Sequence, residues 1–141
     1  MSRVFFDTNL FIYLMEEDGP LAAQVERILE RMADRGDQLL TSVMTLGEVL
    51  VKPLAEGDEA WISQYESLLT GPGVSLLPFD AAAARIYGQV RMERVIRPPD
   101  AIQLACAAVA KTDLFITNND VLTRLNVPGI QFITSLDRVW M

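Results

Sequence analysis

Val4-Phe5-Phe6-Asp7-Thr8-Asn9-Leu10-Phe11-Ile12-Tyr13-Leu14 is the stretch whose reading decides the fold. Val4-Phe5-Phe6 is a short apolar run that fits a buried strand, Asp7-Thr8-Asn9 is a polar turn, and Leu10, Phe11, Tyr13 and Leu14 then recur at helical spacing. A strand that passes through a polar turn into a helix is the repeating unit of parallel α/β sheets.

The same alternation continues outward. Gly19-Pro20 ends the first helix, and Leu21, Val25, Ile28, Leu29 and Met32 mark one face of a second that starts at Leu21 and closes at Arg35-Gly36. Leu39-Leu40 leads into Thr41 and Ser42, either of which caps a helix that carries Glu48, Val49 and Leu50 up to Pro53. Asp58 to Leu69 reads as a helix, closed by Gly71-Pro72-Gly73, and Val74 to Leu77 as a strand. Asp80 caps an alanine-rich helix from Ala81 to about Val95, Pro98-Pro99 stops it, and Asp100 opens the next, with Ala101, Leu104, Ala105 and Ala108 small enough for close packing. Leu114 to Ile116 forms a strand, Thr117 to Asp120 a polar turn, Val121 to Leu125 a short helix, and Ile130 to Ile133 the last strand. The pattern predicts one domain over residues 1–141. Its architecture is a parallel sheet with helices on both faces and a ligand site outside the carboxyl ends of the strands.

Composition narrows the chemistry. With 141 residues, half of them apolar, the chain has enough for one substantial core and not for a second full domain. The longest nearly apolar stretch, Ala101 to Ala110, is half of what a bilayer crossing needs and is interrupted by Gln103, so no membrane anchor is expected and the cytoplasm is the expected location. There is no histidine and one cysteine, Cys106, which excludes Ser-His and Cys-His nucleophiles, histidine acid–base catalysis and zinc sites built on imidazole or thiolates. Cys106 lies in an alanine-rich pattern and reads as a buried, reduced packing residue. A net charge of −7 argues against a whole basic face for nucleic acid, yet permits a local strip beside an acidic site. Ten of the twelve basic residues are arginine, a bias that suits bidentate contacts to phosphate.

The polar residues at strand ends and adjacent helices are Asp7, Glu48, Asp100 and the cluster Asn118-Asn119-Asp120. Each has a plain structural use: Asp7 and Asn119 as helix caps, Asp100 as a partner of a helix dipole, Glu48 as an exposed glutamate. Together they place acids at several strand–helix junctions of a chain that has no competing histidine, cysteine or glycine-rich site.

These surroundings resemble the PIN-domain family of metal-dependent ribonucleases and, within it, the VapC-like toxins of bacterial toxin–antitoxin pairs. The resemblance is carried by Val4-Phe5-Phe6-Asp7-Thr8-Asn9, by Ser42-Val43-Met44-Thr45-Leu46-Gly47-Glu48-Val49, by Pro99-Asp100-Ala101-Ile102-Gln103-Leu104-Ala105 and by Phe115-Ile116-Thr117-Asn118-Asn119-Asp120, in the family's order and at its chain length. It implies a three-layer α/β/α fold with a parallel sheet of about four or five short strands. It also implies Asp7, Glu48 and Asp100 as metal-binding or catalytic acids, supported by Thr8, Asn9 and Thr117. The last motif departs from the family: two residues after Thr117, where an acid is usual, stands Asn119, with Asp120 one residue further on. Either Asn119 is a neutral metal ligand or a shift of one residue lets Asp120 serve as ligand and catalytic acid.

Two carboxylates about 4 Å apart repel by about 4 kcal/mol at an effective dielectric near 20, so such a cluster calls for a cation. Oxygen ligands without imidazole or thiolate favour Mg²⁺ or Mn²⁺. That ion serves a phosphodiester hydrolase by acidifying water and neutralising phosphate charge. Arg91, Arg94 and Arg97, three residues apart towards Asp100, are candidates for substrate phosphate, with surface ion pairing as the plain alternative. The resemblance further implies an RNA substrate, a protein antitoxin inserted into the acidic groove, and a homodimer. An apolar patch for that partner involves Trp61 and Tyr65, unless these two aromatics are core. Two other functions compete. One is an RNA-binding or partner-binding module in which Asn119 has ended catalysis. The other is a phospho-accepting receiver, opposed by the absence of paired acids after the first strand and of a suitably placed lysine.

Overall fold

Strands β1 (Arg3–Phe6), β2 (Gln38–Ser42), β3 (Ser75–Leu77), β4 (Thr112–Thr117) and β5 (Ile130–Ser135) alternate with helices α1 (Thr8–Glu16), α2 (Pro20–Arg35), α3 (Val43–Glu56), α4 (Glu59–Leu69), α5 (Ala81–Val90) and α6 (Pro98–Val109) in a computed structural model that describes residues 1–139. All strand pairs are parallel, in the order β3-β2-β1-β4-β5. The chain therefore moves outward from β1 to β3, then jumps back across β1 to β4. Parallel crossovers are right-handed, so a reversal of direction moves the connecting helices to the opposite face. Accordingly α1 to α4 cover one face and α5 and α6 the other, which is the three-layer α/β/α architecture the sequence predicts.

Side-chain alternation along the strands sorts the core between these layers. Phe6 and Ile116 face α1 to α4, beside Phe11, Val25, Ile28, Tyr65 and Leu69. Phe5 and Phe115 stack with ring centroids 4.7 Å apart and face α6, against Ala101, Leu104 and Ala108. The small residues of α6 let it lie close to the sheet, and that closeness brings Asp100 to the ends of β1 and β4.

Several element boundaries differ from the sequence reading. Helix α5 stops at Val90 and not near Val95: Ile96 drops into the core at 2% exposure, and Arg91 Nη1 donates to the Ile96 carbonyl at 2.6 Å, folding residues 91–97 into turns. Pro98 and Pro99 begin α6 as well as ending what precedes, because the first helical positions need no N–H. For the same reason α2 starts on Pro20, one residue ahead of Leu21. Helix α3 runs past Pro53 to Glu56, with Pro53 buried in the closing turns and Gly57 in the left-handed cap. Ser42, not Thr41, is its N-cap, accepting from the Met44 N–H. Residues 122–124 form a 3₁₀ turn, and β5 extends to Ser135.

Gly129, with φ +101°, lies against α6, and a Cβ there would stand 2.6 Å from the Ala108 carbonyl oxygen. Gly129→Ala is therefore expected to cost about 3 kcal/mol, from the strained backbone together with the contact, read as a lower denaturant midpoint with unchanged slope. Among the described residues no helix is long and apolar enough to cross a membrane.

Candidate active site

The reversal of strand order between β1 and β4 opens a crevice at their carboxyl ends, where the loops diverge to opposite faces. Asp7 directly follows β1 at that point, and Thr117 ends β4 beside it. Asp7 is both the N-cap of α1 and the centre of the acidic group. Its Oδ1 accepts from the Thr8 N–H at 2.8 Å, and its Oδ2 accepts from the Thr117 hydroxyl at 2.7 Å. At 9% exposure Asp7 is nearly enclosed, and burial pushes its carboxyl up from 3.8 to about 6; the bonds from Thr117 and Thr8 pull it down, while the charges of Asp100 and Glu48 add to the rise.

Asp100 stands in the first turn of α6, half-buried. Burial raises its carboxyl above the ordinary value, against the pull of the Arg97 guanidinium and of Asn119. Asn119 Nδ2 donates to Asp100 Oδ2 at 3.3 Å, its Oδ1 accepts from the Val121 N–H, and its own N–H donates to Thr117 Oγ1 at 3.0 Å. Glu48, exposed in the middle of α3, accepts the Thr8 hydroxyl at 2.6 Å.

The fold thus brings together Asp7, Glu48, Asp100 and Asn119, with Thr8 and Thr117 as hydrogen-bonding neighbours. It does not bring Asp120 in. That carboxylate is exposed and makes no hydrogen bond among the described residues, while the Asp120 carbonyl accepts from Thr123 at the start of the 3₁₀ turn. Asn9 points outward and makes no side-chain hydrogen bond among the described residues. The arginine row is broken up with the helix it was read on: Arg91 is tied to the Ile96 carbonyl, Arg94 is exposed, and Arg97 is the N-cap residue of α6, where its charge acts on Asp100. Tyr65 is fully buried, its hydroxyl donating to Glu16, and Trp61 packs half-buried on the same core, so the two aromatics are core residues. Cys106 is buried, with its thiol pushed up to about 11 by burial, as expected of a packing residue.

The sequence reading missed the polar residues beneath these acids. Gln103, Thr45, Thr41 and Ser42 are all buried and hydrogen-bonded to one another or to Thr8. The available signal was Gln103 itself, one turn after Asp100 and the lone polar side chain in the run from Ala101 to Ala110.

Every donor at the crevice is oxygen or amide, a set for a hard cation. Among the described residues no three acidic, cysteine or histidine side chains stand close enough together to share one ion. Mg²⁺ asks for less than that, since it is commonly held by one or two carboxylates and keeps several waters. Asp7 and Asp100, which raise each other's energy when charged, fit that demand.

The sequence profile of the PIN domain family matches residues 4–128. No curated protein sequence matches the chain. Among solved structures, VapBC2 from Rickettsia felis bound to a DNA fragment from its promoter superposes with a TM-score of 0.75 at 17% identity, covering 94% of this chain and 98% of that one. VapBC-1 from nontypeable Haemophilus influenzae gives 0.68 at 22% identity over 96% and 99%. Mycobacterium tuberculosis VapC20, described as a sarcin-ricin loop cleaving toxin, gives 0.65 at 14% identity over 79% and 86%. At these identities the likeness establishes the fold.

Proposed function

The chain belongs to the PIN domain family, and from that premise we propose that it is a metal-dependent endoribonuclease, the toxin of a toxin–antitoxin pair acting in the cytoplasm. The observation that carries this reading is the convergence of Asp7, Asp100 and Asn119 at the β1/β4 crevice, with Glu48 held at its edge by Thr8. Four groups supplied by four separate segments meet there; Asp7 and Asn119 also bond the backbone of the turns that follow them, but local structure does not require the four to converge.

In this reading Asp7 and Asp100 hold Mg²⁺ or Mn²⁺. When bound, the ion supplies a water ionised near neutral pH and neutralises charge developing on phosphate. Each oxygen of Asp7 already accepts one short hydrogen bond, which fixes the carboxylate plane and leaves the remaining lone pairs to the ion. Asn119 restrains Asp100 through its amide N–H and adds no charge, so the site carries three negative charges where a fourth acid would give four. Glu48, exposed and held by one bond, is the carboxylate placed to take a proton from water. Arg97, whose charge acts on Asp100, and the exposed Arg94 serve the RNA phosphates in this reading.

An antitoxin partner and a homodimer belong to the same proposal; the solved relatives named above include VapBC complexes. The receiver alternative falls with the family assignment. It also lacks its lysine, since Lys111 follows α6 just before β4 begins, at the opposite end of the strand from Thr117. Asn119 in place of an acid favours one second reading, a module that binds RNA without cutting it.

The deciding experiment is incubation of a mixed RNA pool with the purified chain in Mg²⁺, Mn²⁺ or EDTA, beside Asp100→Asn purified identically. The expected result is cleavage that requires metal and vanishes in the variant. Folded protein that cuts under no metal yet retains RNA in a gel-shift would replace this reading with the binding module.

A further inference from the structure

Gln103 lies one turn beyond Asp100 on α6, at 1% exposure, and its side chain is bonded at both ends. Its Nε2 stands 2.7 Å from Thr45 Oγ1, 3.0 Å from Thr8 Oγ1 and 3.4 Å from Asp7 Oδ1, while its Oε1 accepts the Ser42 hydroxyl. Ser42 Oγ in turn accepts from the Met44 N–H, so the amide cannot turn over without losing the bond that Ser42 gives it.

Proton counting sets the direction of everything around it. A threonine hydroxyl has one proton and two lone pairs. Thr41 Oγ1 lies 2.9 Å from the Phe6 carbonyl oxygen, which can only accept, and 2.8 Å from Thr45 Oγ1; with the Thr41 proton given to Phe6, Thr45 Oγ1 accepts from Gln103 and donates to Thr41. Thr8 Oγ1 also accepts from Gln103 and lies 3.3 Å from Thr45 Oγ1, so its proton goes to the nearest acceptor, Glu48 Oε1 at 2.6 Å. Among the described residues this is the one side-chain hydrogen bond Glu48 makes.

We propose that Gln103 is a positioning residue for the acidic site: its buried amide donates to both Thr45 and Thr8, which turns the Thr8 proton outward to Glu48 and holds that exposed carboxylate at the crevice. Without the amide, Thr8 is free to turn its proton towards Thr45 or Asp7, and Glu48 moves into solvent. Networks of this kind also polarise, which strengthens the final bond. The functional consequence rests on the nuclease reading; the hydrogen-bond order does not.

The test compares wild type, Gln103→Leu, Thr8→Val, the double variant and Thr8→Ser. Mn²⁺ affinity is measured by electron paramagnetic resonance, and RNA cleavage is resolved into kcat and KM. Losses of metal affinity or kcat of about tenfold are expected for each of Gln103→Leu and Thr8→Val, the usual size for residues behind a metal ligand. Because both act through the same proton, the double variant is expected to be no worse than the weaker single, and Thr8→Ser, which keeps the hydroxyl, to recover most of the loss. In the metal-free wild type, the two Gln103 side-chain amide protons should be separately resolved in the nuclear magnetic resonance spectrum and slow to exchange with water. Multiplying losses in the double variant, a folded Gln103→Leu with unchanged Mn²⁺ affinity and kcat, or fast-exchanging amide protons would each overturn the proposal. A wild-type chain that neither binds Mn²⁺ nor cuts RNA overturns the nuclease reading instead, and the exchange measurement then decides the role of Gln103 by itself.

Discussion

Asp7→Asn is expected to melt at a higher temperature than the wild type at pH 7.5 without metal, and to lose cleavage by on the order of a thousandfold, since a bound ion is worth several kcal/mol in such transition states. The two effects share one cause. Burial raises the Asp7 carboxyl from 3.8 to about 6, so the folded protein holds a proton that the unfolded chain releases. A raised acid contributes stability that is fully present below 3.8 and is lost as pH rises through about 6. At pH 7.5 the folded state therefore carries an ionised, enclosed carboxylate at a cost of about 3 kcal/mol, two pH units at 1.36 kcal/mol each. Asparagine removes that cost. It forfeits about 1 kcal/mol of it, because an amide cannot accept from both the Thr8 N–H and the Thr117 hydroxyl on its two ends. The net gain of about 2 kcal/mol corresponds to a rise of roughly 5–10 °C in Tm. Asp100, raised in the same direction, adds to the pH trend. Thermal melts of the EDTA-treated proteins at pH 5 and 7.5 check this: the wild type should lose stability across that interval and the variant much less. A variant that melts lower at pH 7.5 would show that Asp7 stabilises the fold as an ordinary cap. Saturating Mg²⁺ should reverse the order, because a cation stabilises only the ionised wild type.

The second large effect is expected at Phe115→Ala, with a loss of about 3–5 kcal/mol, a large share of the stability of a domain this size. Phe115 is fully buried between the sheet and α6, and its ring stacks within 6° of parallel on Phe5, the register partner across β1 and β4. Truncation leaves a cavity that the small alanines of α6 cannot fill. The alanine variant should also weaken metal binding, since the same two strands deliver Asp7 and Thr117. Urea unfolding measures the first effect, and an unchanged midpoint would mean the layer closes over the gap.

Much of this was legible because short-range physics writes it into the order of residues. A buried parallel strand must be a brief apolar run, and a helix on it must repeat its apolar residues at three and four; both appear in the first eleven residues quoted above. The cap residues Asp7, Ser42, Asp58 and Asp80 were readable for the same reason, each making a bond within three residues of itself. The ends of α3 and α5 were misread because they are set at long range: Ile96 is drawn into a core whose other members come from distant segments, and Pro53 is tolerated because its helix packs as a hairpin against α4.

Residue order by itself determined the layered α/β fold, the exclusion of histidine and thiolate chemistry, and the candidate acids Asp7, Glu48 and Asp100, because those properties depend on residue type and local spacing. Only the tertiary structure decided that Asn119 and not Asp120 reaches Asp100, that the arginine row does not exist as a row, and that Gln103 joins Ser42, Thr45 and Thr8. The contacts of Asn119 and Gln103 link residues 19 to 95 positions apart along α6, α3, α1 and the β4 loop, and their geometry depends on how closely α6 settles onto the sheet. That closeness is a property of packed layers, and no local pattern encodes it.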